Sequence, residues 1–235
     1  MNKFEHKLLS IVMGLLLVAA MLIWSRELAE SVSGDNVLAG KRKYKVVIDA
    51  GHGGDDPGKI GINGALEKDI NLQIAFLVQE FLEEADVEVV LTRKTDEGLY
   101  DAGVPNKKVQ DMKRRIAIID EEAPDVTVSI HQNSYPEEYV HGAQVFFYTG
   151  SREGQALADS IQTQFVEKAD AENTRQIKAN DSYYLLKKTQ VPIVIVECGF
   201  LSNSVEAAKL CEETYRERVA WAIHMGILQY LNENV

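Results

Sequence analysis

Two histidines and two glutamates, His52, Glu67, His131 and Glu197, are the residues of this chain whose types could together do chemistry. Two imidazoles and one carboxylate are a common ligand set for a catalytic zinc ion, which keeps its fourth position for water and lowers that water's pKa to about 7. We therefore expect His52, Glu67 and His131 to hold Zn2+, with Glu197 as the base beside them. Such a base accepts a proton from the water and passes it to a leaving amine, while the metal polarises a carbonyl. The reaction class is hydrolysis of an amide. Each residue taken singly has a plainer explanation: a loop histidine at the surface, a helix-start acid favoured by the macrodipole, a solvated glutamate at a strand end. The case for a site rests on their being brought together.

Hydrophobic patterning says which elements do so. Val46, Val47 and Ile48 form an apolar run that ends at Asp49 and Gly51. His52 then falls just past the carboxyl end of a strand, where open α/β sheets place their ligands. Gly51, Gly53, Gly54, Gly58, Gly61 and Gly64 let the following loop bend and let another group approach the backbone closely. So glycine-rich a loop could also cradle a phosphate, but no G-x-x-x-x-G-K-[ST] follows. Ile70, Ile74, Leu77 and Phe81 recur at helical spacing, which starts a helix near Glu67. Val87 to Leu91 is a second strand with Arg93 just beyond it, and Asp96 to Asn106 is a loop. Val109, Met112, Ile116 and Ile119 mark a helix that Pro124 stops before a third strand, Val126 to Ile130. That strand runs into His131-Gln132-Asn133, at the same end of the sheet as His52.

Farther on, Ala143 to Tyr148 is a strand, Arg152 to Lys168 a helix, Ala169 to Asp181 a polar loop and Tyr183 to Lys187 a short helix. The last strand, Ile193 to Val196, delivers Glu197, and helices over Val205 to Cys211 and Tyr215 to Leu231 follow. Near-continuous apolar strands alternating with helices predict a single-domain α/β fold. Its twisted sheet is mainly parallel, with right-handed crossovers and helices on both faces.

The chain has 235 residues, 46% hydrophobic and 26% charged, enough for one ordinary globular domain plus a short appendage. A net charge of -11 with only 25 Lys+Arg excludes sequence-independent nucleic-acid binding, which needs a basic face. Leu8 to Trp24 carries no charge and follows Lys3 and Lys7. At its length, near the ~17-residue lower limit for a spanning helix, it reads as a signal anchor in preference to a cleaved signal peptide, since no clear A-x-A site follows. The domain limits expected are 1–25 for the anchor or signal, 26–43 for a linker and 44–235 for the catalytic domain, which is exported in either case. Cys198 and Cys211 are too few for a disulfide framework and read as one core thiol and one helix thiol.

Five motifs, VIDAGHGGDDPG, EKDINL, LTR, SIHQN and PIVIVECGFLSN, occur in one order and at one spacing. As a set they resemble the zinc-dependent N-acetylmuramoyl-L-alanine amidases, which cut between the lactyl group of muramic acid and the first residue of the peptidoglycan stem peptide. The resemblance spans roughly Lys45 to Leu231. It implies a mostly parallel six-stranded sheet, zinc ligands at His52, Glu67 and His131, and a catalytic glutamate at Glu197. Arg93 and Asn133 match recurrent positions near the site, with substrate or supporting roles. Two departures, Ile119-Asp120 in place of an Ala-Asn pair and Gln132 in place of Ala, touch no proposed ligand and bear on substrate preference.

A short chain with an amino-terminal anchor and no wall-binding repeat is most similar to the germination-specific amidases of endospore formers. That subgroup removes stem peptides from spore cortex before muramic-δ-lactam forms. The resemblance implies a place in the cell wall or the forespore intermembrane space, and a lipoprotein partner in some members. A zinc peptidase acting on a stem-peptide bond and a non-catalytic peptidoglycan-binding protein are the rival functions. Arg93 is divided between a structural ion pair and a contact near the site. His141 and His224 read as packing or solvent-exposed residues. Tyr135, Tyr139, Tyr183 and Tyr184 could border a glycan groove but stay outside the expected site.

Overall fold

The computed structural model describes Met13 and residues 43–235, and residues 43–235 make one compact unit. Apart from Met13 the expected anchor, and apart from Lys43 the expected linker, lie outside the described residues. Among the described residues, no helix is long and apolar enough to cross a membrane.

The chain folds into a six-stranded sheet in the order β2-β1-β3-β6-β4-β5. The strands are β1 (Lys45–Ala50), β2 (Glu88–Leu91), β3 (Val126–Asn133), β4 (Gln144–Tyr148), β5 (Lys178–Asn180) and β6 (Ile193–Phe200). The helices are α1 (Glu67–Glu84), α2 (Lys107–Glu122), α3 (Arg152–Gln164), α4 (Tyr184–Lys188), α5 (Ser204–Cys211) and α6 (Glu213–Asn234). The sheet is mixed. β1 pairs in parallel with β2 and β3, and β3 with β6, but β4 runs antiparallel to β6 and carries β5 parallel to itself.

Several elements differ from those expected from sequence. Lys178–Asn180, expected as loop, is a strand. It is a short polar edge, the kind of strand that apolar patterning does not mark. The helix after β4 ends at Gln164 and continues as a π-helical turn over Phe165–Ala169. β3 and β6 run on to Asn133 and Phe200, so His131 and Glu197 lie within strands and not in the loops after them.

Side chains alternate across a strand, and the two faces of this sheet are unequal. Val46 and Ile48 of β1, Val126, Val128 and Ile130 of β3 and Val194 and Val196 of β6 point into the larger core. There they meet Ile70, Ile74, Val78 and Leu82 of α1, Leu157 and Ile161 of α3, and Val219, Ile223 and Ile227 of α6. Val47, Ile193 and Ile195 point the other way, into a smaller cluster with Ile119 of α2, Phe146 of β4 and Leu185 and Leu186 of α4. By the same alternation, His131 follows Thr127 and Ser129, and Glu197 follows Ile193 and Ile195, onto this thinly covered face. A helix cap helps to place its cover: Asn106 Oδ1 accepts from Val109 N at the start of α2.

Candidate metal centre

Strand register does the first part of the assembly. His131 of β3 is paired with Glu197 of β6 across a parallel ladder, at the carboxyl ends of both strands. β1 ends next to β3, and Gly51 N donates to Ile130 O at 3.0 Å, which carries the chain directly into His52. His52 takes φ 62°, a left-handed backbone uncommon outside glycine. Backbone held in that region clusters at functional sites. Glu67 opens α1 and is 2% exposed. The loop returns it to the histidines, with Glu67 N donating to Lys59 O at 3.0 Å.

His52, Glu67 and His131 each offer a ligand atom, and these atoms lie within 4.8 Å of one another. Glu67 Oε1 is 2.9 Å from His131 Nδ1 and 3.2 Å from His52 Nε2. The two rings meet edge to face, with centroids 5.0 Å apart. This nitrogen and oxygen donor set fits a single metal ion. The supporting contacts fit it too, since metal-binding histidines are usually oriented by a second hydrogen bond from the other ring nitrogen. His52 Nδ1 is 2.9 Å from Asp56 Oδ2, which leaves Nε2 for the cluster. Glu67 Oε2 accepts from Lys59 N at 2.7 Å, and Oε1 accepts from Gln132 N at 3.1 Å. Burial alone would raise the Glu67 pKa, but hydrogen bonds from His131 and His52 outweigh it and hold the carboxylate far below its ordinary range.

Two glycines give the cluster its space. A Cβ on Gly51 would sit 2.3 Å from His131 Cε1 and 2.4 Å from Nε2. A Cβ on Gly58, whose φ is +66°, would sit 2.5 Å from Glu67 Oε2 and 2.7 Å from His52 Cδ2.

Two arginines hold the loop from behind. Arg115 is 2% exposed and binds Asp49 Oδ1 at 2.6 Å, Asp111 Oδ2 at 2.6 Å, Ala50 O at 2.8 Å and His52 O at 2.6 Å. Asp49 also accepts from Thr92 Oγ1 at 2.7 Å and Ser129 Oγ at 2.5 Å. Burial opposes ionisation of Asp49, but Arg115 and the two hydroxyls prevail and bring its pKa down to about 2. Nothing in the sequence singles out Arg115, because apart from Asp111 on its own helix its partners lie in the distant stretch from Asp49 to His52. Arg93 is buried and donates to the carbonyls of Ala50, Gly51, Lys68 and Thr95 at 2.7–3.2 Å. It clasps the loop to the start of α1 through backbone oxygens and lies outside the cavity wall.

A cavity of about 560 Å3 opens over the cluster, lined by His52, Glu67, His131, Asn133, Tyr183 and Glu197 among others. Asn133 borders it, with Oδ1 accepting from Ser134 N at 2.8 Å. Glu197 is 7% exposed, and burial pushes its pKa up to about 7. Its Oε1 lies 3.5 Å from the Tyr183 hydroxyl, while Oε2 has no hydrogen-bond partner among the described residues. Tyr183 is thus a site neighbour that sequence reasoning left aside. Its one outward sign was its place just before an apolar pair, Leu185-Leu186, that docks on the thin face.

The remaining candidates lie elsewhere. His141 is exposed, and His224 is buried against Phe81 and Trp221. Cys198 is a buried free thiol and Cys211 an exposed one.

A mixed α/β sheet that gathers two histidines, a carboxylate and a buried glutamate at one edge defines a hydrolase with a candidate metal centre. The sequence matches the N-acetylmuramoyl-L-alanine amidase family (Amidase_3) over residues 46–229, and the chain belongs to that family. It is 36% identical over 200 residues to the germination-specific N-acetylmuramoyl-L-alanine amidase of Bacillus subtilis (strain 168), covering 83% of this chain and 82% of that one. The CwlD amidase of Clostridioides difficile, solved in complex with the GerS lipoprotein, superposes with a TM-score of 0.79 at 38% identity, covering 81% of this chain and 99% of that one. The catalytic domain of the CwlV amidase from Bacillus (Paenibacillus) polymyxa var. colistinus superposes with a TM-score of 0.71 at 32% identity, covering 80% and 98%.

Proposed function

We propose that this amidase uses a zinc ion held by His52, Glu67 and His131 to cleave the bond between the lactyl group of N-acetylmuramic acid and L-alanine of the peptidoglycan stem. The observation that carries it is the convergence of those three ligand groups beneath a cavity that Glu197 also lines. When bound, the metal supplies Lewis acidity, polarising the scissile carbonyl and acidifying a water molecule. The protein's own residues do the rest. His52 and His131 present ring nitrogens and Glu67 a carboxylate, each fixed by the contacts above. Glu197 removes a proton from the attacking water as its oxygen bonds to the carbonyl carbon. It then delivers that proton to the amide nitrogen as the carbon–nitrogen bond breaks, which leaves a lactyl carboxylate and a free alanine amine. Asn133, on the cavity border, contacts the substrate, and Arg93 keeps the His52 loop in place.

The similarity to a germination-specific relative supports a role in spore cortex maturation, upstream of muramic-δ-lactam. The neighbour solved with a lipoprotein supports a lipoprotein partner here as well. Peptidoglycan lies outside the cytoplasm, and the apolar stretch Leu8 to Trp24 serves as a signal anchor that delivers the catalytic domain, 44–235, through the linker 26–43.

Digestion of purified cortex muropeptides, followed by mass spectrometry, tests the reaction. Free alanine amino groups with intact glycan strands are expected. Shortened stem peptides would replace the amidase with a peptidase, and unaltered muropeptides from zinc-loaded protein would leave only binding. Metal analysis of H131A should show lost zinc, and undiminished zinc would refute its place as ligand.

A further inference from the structure

Tyr183 is built into the cavity wall with more care than a bordering tyrosine needs. Its ring packs edge to face on buried Phe146, with centroids 5.5 Å apart. Its backbone N–H donates to Asn180 Oδ1 at 2.9 Å, and the same oxygen accepts from Ser182 N at 2.8 Å. The end of β5 and the ring of β4 therefore fix the phenol before α4 begins. Its hydroxyl is then 3.5 Å from Glu197 Oε1.

Glu197 needs such a neighbour. A carboxylate that shuttles a proton must present one oxygen to the reacting groups in a set direction, and here no other side chain or backbone group among the described residues hydrogen-bonds to either of its oxygens. Contacts of this kind often lie long before substrate is bound and tighten in the reacting complex. The 3.5 Å separation is at that outer limit.

We propose that Tyr183 is a positioning residue for Glu197: its hydroxyl donates to Oε1 and so sets the direction in which the carboxylate is held at the cavity wall. This rests on Glu197 being the base, as argued above. The arrangement assigns Tyr183 to the carboxylate and not to the substrate, and it gives the short edge strand β5 a purpose, since Asn180 closes that strand and tethers the tyrosine.

A double-mutant cycle decides the matter. Zinc-loaded full-length protein, Y183F, E197Q and Y183F/E197Q are assayed on a purified muropeptide of defined stem, with kcat and KM resolved. Loss of one hydrogen bond to a charged group corresponds to roughly a 10–100-fold loss, so Y183F should lower kcat by about that factor with KM within about twofold. Its zinc content and unfolding midpoint should match the wild type. E197Q should lower kcat by about 10²–10⁴-fold, and adding Y183F to it should cost less than about twofold more, because two residues acting as one unit are non-additive. An undiminished Y183F loss in the E197Q background would mean that the hydroxyl acts on the substrate directly, and would overturn the proposal. So would an unchanged kcat in Y183F, or a loss expressed in KM or in zinc content. Full activity of E197Q would refute the base assignment itself, whatever Y183F does.

Discussion

Replacing Arg115 with methionine keeps most of the buried volume and removes the charge. Asp49, 1% exposed, would then retain only the hydroxyls of Thr92 and Ser129. Its pKa falls from 3.8 to about 2 in the fold, and that shift corresponds to roughly 2 kcal/mol of stability at neutral pH. Removing one partner of a buried pair costs more than the pair contributes, because a charge is left uncompensated; about 3–5 kcal/mol is expected. Denaturant unfolding of R115M against wild type measures it.

The pH dependence carries the sharper test. In the wild type the folded-state pKa of Asp49 is depressed, so its contribution is complete above the unfolded value of 3.8 and is lost as pH falls through about 2. In R115M burial is the dominant influence left, the folded-state pKa rises above the unfolded one, and this contribution reverses sign. Stability should then decline as pH rises from about 4, where the wild-type contribution is already complete and flat, having been gained between about 2 and 3.8. A loss below about 1 kcal/mol, or an unchanged slope in this window, would refute the account of Arg115 as the counter-charge that holds the His52 loop.

Other perturbations follow from the same geometry. Gly51→Ala forces a Cβ to within 2.4 Å of His131 Nε2, so metal affinity should fall by about 10–100-fold, the range seen for disturbed supporting contacts, as titration with a zinc indicator would show. Arg93→Lys keeps the charge but cannot reproduce a fork that reaches four carbonyls, so a loss of about 2–3 kcal/mol is expected by thermal or denaturant unfolding, with no change in substrate KM. In chelated protein, Glu197 is raised from 4.5 to about 7 by burial, so stability should fall by roughly 3 kcal/mol as pH rises across that interval, and E197Q should flatten the slope. Adding zinc should shift this titration to lower pH, because a nearby cation favours the carboxylate; an unmoved titration would place the metal elsewhere.

Much of the site was legible before any fold was known, because strand and helix periods are local. The run Val46 to Ile48 ending at Gly51, the 3.6-residue spacing from Ile70 to Phe81 and the apolar strand before His131 each say where a side chain leaves its element. They say nothing of neighbours. The register that sets His131 against Glu197 depends on β6 having crossed to lie beside β3, a pairing no local period contains. The same holds for Arg115, whose partners Asp49 and His52 reach it only when α2 covers the thin face of the sheet, while Asp111 is a local partner four residues away on the same helix. Edge strand β5 was missed because its three residues, Lys178–Asn180, include no large apolar side chain and carry no burial signal, and with it went the tether that brings Tyr183 to Glu197. The sequence by itself determined the residue types, the elements and the end of the sheet at which they emerge. Tertiary structure decided which of them touch, because contact between distant segments is set by strand order and packing, and those are properties of the whole chain.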